Sequence, residues 1–430
     1  MKLLFLAPRM PYPADTGGKI RTLNILKQCA AFAEVDLVCF SFEWNDEAMI
    51  RLLRREARVN VHLVPHLEPG LPEKIQFLLA NERSLSVAKY FAQAMRARIR
   101  TLIAQNAYDA VHFDHVHMAQ YRDEVKDIPA LVDDHNVEYR ILERCAEVEK
   151  NPLKKFIYTR QIEKMRAYER EAVAACSVCA AVSEDDAETL RGLTGSRVPV
   201  KVVPNGVDTK YFSAETCRAP KGTRDLSAQA PESAGSPDAK DAAAKGAKPL
   251  SRTLVFTGSM DWLPNDDAMR YFINEIFPLL KEKKADIMID IVGKKPSPAL
   301  RQLAGRESGV RVTGRVDDVR PYIARAAAFV VPLRIGGGTR LKILEAMSMA
   351  KPVISTTLGA EGIAHSRAED IVLADRPQDF AAAIVDILDH PQTARSIGQK
   401  GRELVLRQYD WNIMGQLLKD MYHEIIQRKP

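Results

Sequence analysis

The chain has 430 residues, 46% of them apolar and 27% charged, an ordinary globular composition that needs no disulfide or metal staple to build its core. A net charge of +6 is mild at this length, and zinc-finger spacing, RNA-binding aromatic signatures and a basic tail are all missing. This argues against a nucleic-acid partner and for a site that holds anionic phosphates or rests weakly on anionic lipid. No stretch approaches the roughly 20 apolar residues of a membrane span, and the apolar run near the N-terminus is short for a secretion signal. A cytoplasmic location is expected, with peripheral contact at the inner face of the membrane as a variant.

In chain order, short apolar runs at Lys2–Ala7, Val35–Phe40, Val59–Val64, Ala110–Phe113, Ala130–Val132, Ser177–Ala181 and Val200–Val203 alternate with helical patterns such as Thr22–Ala33, Asp46–Glu56 and Lys154–Ala175. Strand runs without polar alternation, separated by helices, predict a parallel sheet covered on both faces. The pattern restarts at Thr253, with strands at Leu254–Thr257, Ile287–Val292, Arg311–Thr313, Phe329–Pro332, Val353–Thr356 and Ile371–Leu373. The expected fold is α/β, with two Rossmann-like domains facing a cleft. Expected boundaries are residues 1–212 and 252–408 for the domains, 213–251 for a linker, and 409–430 for a C-terminal helix packing back on the first domain. Within the linker, Leu226 and Leu250 are the large aliphatics of the stretch 217–250, too little apolar surface to offset ordering entropy, so a disordered insertion is expected.

Ligands of open α/β sheets bind outside the carboxyl ends of the strands. The strongest signal lies at such an end, where Val330–Pro332 leads through Gly336, Gly337 and Gly338 into a helix expected near Thr339. Glycines let a phosphate approach the backbone, and free N–H groups at a helix N-terminus attract anions. Arg340 and Lys342 put cations in the first turn, where the helix dipole disfavours them, an arrangement that makes sense if an anion fills the site. Lys342 and Glu345 share a helix face at i,i+3, suited to a diphosphate and to ribose hydroxyls respectively. The bland alternative is a solvated salt bridge. Elsewhere, Val182–Asp186 reads as a helix start capped by Ser183, and Cys176-x-x-Cys179 lacks the further ligands of a zinc site, so buried thiols are expected. Neither a Gly-x-Gly-x-x-Gly fingerprint nor a P-loop occurs.

The glycine turn and its helix resemble the donor-binding motif of retaining glycosyltransferases of family four, or group 1, which have the GT-B fold. Further matches follow in order: Pro11–Gly18 with Gly17 and Gly18 as the first glycine loop, Val203–Asp208 as the end of the first domain, Phe256–Asn265 with Gly258 and Ser259 as the opening of the second, and Val312–Pro321 with Gly314 and Arg315 near the nucleobase. The phrases Met260–Asn265 and Asp318–Tyr322 are similar to sugar transferases of exosortase and exopolysaccharide systems. The resemblance implies an N-terminal acceptor domain, a C-terminal nucleotide-sugar domain, and transfer of a sugar from a nucleotide-sugar to a glycan or lipid-linked acceptor with retention. It also implies donor contacts from Gly337, Gly338, Thr339, Arg340, Lys342 and Glu345, and a histidine near the donor sugar matched by His135, with His112, His115 and His117 as weaker candidates.

Two departures stand out. The family's first motif glutamate falls on Gly337, and its Arg and Lys after the first strand of the second domain are missing from Gly258–Trp262. Arg340 and Lys342 are expected to supply those charges. No Asp-x-Asp, the metal-holding motif of the other main glycosyltransferase fold, occurs, so no metal and no cofactor is expected to be required. The basic, apolar stretch Pro72–Ile103 is a candidate membrane contact, weighed against a plain core-facing helix pair. Rival functions are a nucleotide-sugar epimerase, a two-domain dehydrogenase, an exported sugar-binding protein, and a degenerate transferase that only binds nucleotide.

Overall fold

The structure, a computed structural model, describes residues 1–14, 16–41, 46–66, 70, 83–149, 151–215, 252–336, 339–366 and 368–428. The expected insertion at 217–250 and the turn glycines Gly337 and Gly338 lie outside them, as do residues 72–82 of the candidate membrane stretch.

The first half is an all-parallel sheet in the order β3-β2-β1-β4-β5-β6-β7. Its strands are β1 (Lys2–Ala7), β2 (Glu34–Ser41), β3 (Asn60–Pro65), β4 (Ala110–Asp114), β5 (Ala130–Asp134), β6 (Val178–Ala181) and β7 (Val200–Val202). The central strands are buried on both faces, which is why they read as continuous apolar runs. Helices α1 (Gly17–Ala30), α2 (Asp46–Ala57), α3 (Leu85–Ala88), α4 (Gln93–Gln105), α5 (Glu138–Val148), α6 (Pro152–Ala174) and α7 (Glu184–Thr194) connect and cover them. Helix α1 begins five residues before the expected Thr22, so Gly17 and Gly18 form its first turn and not a preceding loop.

The second half repeats the plan, in the order β10-β9-β8-β11-β12-β13. Its strands are β8 (Thr253–Thr257), β9 (Met288–Val292), β10 (Val310–Gly314), β11 (Ala328–Val331), β12 (Val353–Ser355) and β13 (Val372–Leu373). Around them run α8 (Leu263–Tyr271), joined through one π turn to α9 (Phe277–Lys283), then α10 (Pro298–Ala304), α11 (Arg320–Arg325), α12 (Leu341–Ser348), α13 (Pro377–Asp389) and α14 (Pro391–Gln408). The final helix, α15 (Trp411–Gln427), returns to the first half. Its Trp411, Met414, Leu418 and Tyr422 pack with Leu3, Phe5 and Leu26, and the Tyr422 hydroxyl lies 2.6 Å from His112 Nδ1.

Both sheets are doubly wound, and strand order reverses at β1/β4 in one and at β8/β11 in the other. Such switch points open a crevice at the carboxyl ends of the strands. The two crevices face each other. A methyl group at Gly17, at the start of α1, would lie 3.8 Å from Leu341 Cδ1, at the start of α12. Arg144 of α5 spans the cleft with a bidentate pair to Glu361 (2.6 and 2.9 Å) and a hydrogen bond to the Gly336 carbonyl.

Where it is described, the candidate membrane stretch has one core-facing side and leaves Phe91 and Arg98 exposed. Met95, Ile99 and Leu102 are buried, and Arg96 and Arg100 pair with Glu124.

Candidate active site

On the second domain, β11 ends at Val331 and α12 starts at Leu341, two residues later than expected near Thr339. Arg340 stands at the N-cap with extended backbone and no side-chain cap, and no acidic residue lies in the first turn, so the helix start keeps its positive potential. Thr339 is buried and its hydroxyl donates to the Gly362 carbonyl at 3.2 Å. Burial lowers the Arg340 guanidinium to about 10.

Lys342 does not project into solvent, and its partner is not Glu345. Its ammonium donates to Asn265 Oδ1 at 2.7 Å and sits 4.0 Å from the centre of the Phe256 ring. It ends in the turn after β8, where a methyl group at Gly258 would lie 2.7 Å from Nζ and the backbone takes φ 156°, which favours glycine. The residues of that turn, Gly258–Trp262, include no Arg or Lys, and the Lys342 ammonium reaches it from α12. Burial, then the neighbouring Arg340, lowers Lys342 to about 7, with Glu345 opposing. Burial likewise raises Glu345 to about 7 against the pull of Lys342. Ser259 holds Asp261 through its hydroxyl. Gly314 adopts φ 73° at the end of β10 with open space beside it, and Arg315 is exposed; both lie two strands away from β8.

On the first domain, His135 is buried at the end of β5. The ring is 5% exposed, and its Nε2 lies 3.0 Å from Asp114 Oδ1 and 3.2 Å from Asp133 Oδ2. Burial works against its charge, but the two carboxylates overcome it and raise the ring to about 9. Arg21, also buried, holds Asp133 through Nε and Nη2 and donates to the Val203 carbonyl at 2.9 Å. Asp133 and Asp114 thus balance Arg21 and His135, with Thr22 donating to Asp114 at 2.8 Å. Among the described residues His135 Nδ1 has no partner in this set.

The histidine presented to the cleft is His115. It follows β4 directly, is partly exposed, and carries φ 67°, a conformation that costs a non-glycine residue about 1–3 kcal/mol and clusters at functional sites. Its ring stacks on His135 at 3.6 Å between centroids, and a methyl group at Gly18 would lie 3.6 Å from its Nε2. Burial and the charged His135 keep it well below the usual histidine range, so it is neutral at pH 7. His112 and His117 are buried, and burial lowers each to about 4. Nothing in the local sequence separates His115 from His112, His117 and His135; its strained backbone is visible only in the folded chain.

Beside this floor lies an acidic layer. Glu169 of α6 accepts from the backbone N–H groups of Glu138 (2.8 Å) and Tyr139 (3.4 Å), capping α5, and burial raises it to about 8. Ser183 caps α7, accepting from the Asp186 N–H at 3.1 Å. Cys176 and Cys179 are buried free thiols.

Two family models match, and between them they span both sheets. "Glycosyltransferase Family 4" covers residues 16–211 and "Glycosyl transferases group 1" covers residues 251–390. The chain is a family 4, group 1 glycosyltransferase. The transferase is 20% identical over 425 residues, 95% of this chain and 96% of the other, to an uncharacterized 44.6 kDa protein in the cps region of Klebsiella pneumoniae. It is 25% identical over 260 residues to a GDP-mannose-dependent phosphatidylinositol monomannoside mannosyltransferase of Corynebacterium glutamicum, over 58% of this chain and 61% of that one. Among solved structures it resembles sucrose-phosphate synthase of Thermosynechococcus elongatus (TM-score 0.68, 16% identity, 99% of each chain). It also resembles HepE of Anabaena in complex with UDP and glucose (TM-score 0.64, 15% identity, 98% of this chain and 99% of that one). The fold is GT-B, and the comparisons do not favour an epimerase.

Proposed function

We propose that the transferase moves a sugar from a nucleoside diphosphate-sugar to a glycan or lipid-linked acceptor of cell-surface polysaccharide synthesis, with retention of configuration and no required metal. The observation that carries this reading is Lys342. Its buried ammonium bonds a neutral amide, next to a glycine turn and an uncapped helix start, and is held near neutrality until an anion arrives. As the sugar–diphosphate bond breaks, negative charge builds on the leaving group. Lys342, Arg340 and the first N–H groups of α12 stabilise it there, in a water-poor site where such contacts are strong. Glu345 accepts hydrogen bonds from the ribose hydroxyls, and with Gly337 in place of the family's first glutamate that contact is lost or comes from backbone. His115 lies on the donor-sugar side, backed by His135. The acceptor hydroxyl attacks the face that the diphosphate leaves, and its proton passes to the departing phosphate.

The deciding test is a thermal-shift screen of nucleotides and nucleotide-sugars on the wild type, Lys342→Ala and Glu345→Ala. Because HepE holds UDP and glucose, and the Corynebacterium relative is GDP-mannose-dependent, uridine and guanosine donors come first. One nucleoside diphosphate should raise the melting temperature of the wild type and of neither variant. No shift with any nucleotide in folded protein sinks the reading. NMR of the product decides retention, and transfer that survives a chelator decides the metal question.

A further inference from the structure

Helices α5 and α6 form an antiparallel hairpin whose α5 lines the cleft. Glu138 at the start of α5 meets Glu169 of α6, and Glu143 pairs with Arg166, so the two helices run side by side from the cleft floor outward. Arg144, midway along α5, ties the hairpin to the second domain through Glu361. Helix α6 is 23 residues long. At about 1.5 Å per residue, its first turns lie roughly 20–24 Å along its axis from Glu169.

Those first turns carry an unusual surface. Leu153 is 68% exposed and Phe156 is 61% exposed, more than any other large apolar side chain among the described residues. Lys154, Lys155 and Arg160 are exposed around them. The tip is ordered, because the Asn151 side chain caps α6 through the N–H groups of Leu153 (3.0 Å) and Lys154 (3.2 Å). A folded chain seldom leaves a leucine and a phenylalanine this bare one turn apart. Apolar tips flanked by lysines match a bilayer interface, where the rings enter the headgroup layer and the ammonium groups meet anionic phosphates.

We propose that the tip of this hairpin, Leu153, Lys154, Lys155 and Phe156, docks the transferase on an anionic lipid surface. The cleft then stands roughly two nanometres above the bilayer, within reach of the head of a lipid-linked glycan. This rests on the reading that the acceptor is lipid-linked.

Co-sedimentation with vesicles tests the docking, comparing phosphatidylcholine alone with phosphatidylcholine plus phosphatidylglycerol. Wild-type protein should sediment with the anionic vesicles and be released by salt. The double variants Leu153→Ser with Phe156→Ser, and Lys154→Glu with Lys155→Glu, should each bind at least roughly tenfold more weakly. Both should keep the melting-temperature gain with nucleotide, since the tip is remote from the donor site. Wild-type protein that ignores anionic vesicles, or variants that bind as well as wild type, overturns the proposal. So does a dimer in light scattering that Leu153→Ser with Phe156→Ser converts to monomer, because a second copy would then cover the tip. Vesicle binding that persists where no nucleotide shifts the melt would defeat the transferase mechanism and leave the docking standing.

Discussion

Two sets of buried ionisable groups, one on each wall of the cleft, are held differently. On the first domain, Arg21, His135, Asp114 and Asp133 neutralise one another within hydrogen-bond distance. On the second, the Lys342 ammonium bonds an amide, and it and Glu345 are both brought to about 7. A charge whose partners are already in place serves the fold. A charge held near neutrality, beside glycines and free N–H groups, waits for one that the ligand brings.

The largest expected effect strikes the first of these sets. Asp133→Ala leaves Arg21 and His135 buried without their shared partner and should cost about 3–5 kcal/mol in urea unfolding. Lys342→Met is the opposite case. It should leave the stability of the free protein equal or higher, while weakening nucleoside diphosphate binding by about 1.5–3 kcal/mol, roughly ten- to a hundredfold, by calorimetry. If Lys342→Met instead unfolds the protein, the two walls are alike and the contrast fails.

The third prediction sharpens the contrast through pH. The diphosphate needs Lys342 charged and the ribose needs Glu345 ionised, so nucleotide affinity should peak near pH 7 and fall on both sides. Lys342→Arg should flatten the alkaline limb and Glu345→Gln the acid limb. His135 works in the other sense. Its folded value is raised to about 9, so the stability it contributes is full below about 6.5 and is lost as pH rises through about 9. The gap in melting temperature between wild type and His135→Gln should therefore close on that rise. The smallest effect concerns His115→Ala. It should lower kcat while changing stability by about 1 kcal/mol or less, because the ring is partly exposed and alanine keeps the same strained backbone at φ 67°. A kcat effect at His135 alone would reverse the assignment.

Much of the fold was legible because its causes are local. Doubly buried strands write themselves as apolar runs, and strands such as Lys2–Ala7 and Val353–Ser355 fall where those runs lie. The helix that carries Lys342 and Glu345 was legible from spacing. The histidines were not. Four of them lie in or just after two neighbouring strands, and their surroundings depend on a positive φ at His115 and on carboxylates that claim His135. The bland expectation of a Lys342–Glu345 salt bridge also missed the outcome, since the ammonium turns away to Asn265.

Composition and periodicity alone determined two parallel α/β sheets, their strand positions and the helix that carries Lys342, because each follows from the residues within one element. Tertiary structure decided the rest. Asn265 stands 77 residues from Lys342, and Glu361 stands 217 from Arg144. Strand order reverses at the switch points, so partners are set by which crossover returns beside which strand. No local pattern records that choice, and on it rest both the cation beside Gly258 and the exposed tip of the α5–α6 hairpin.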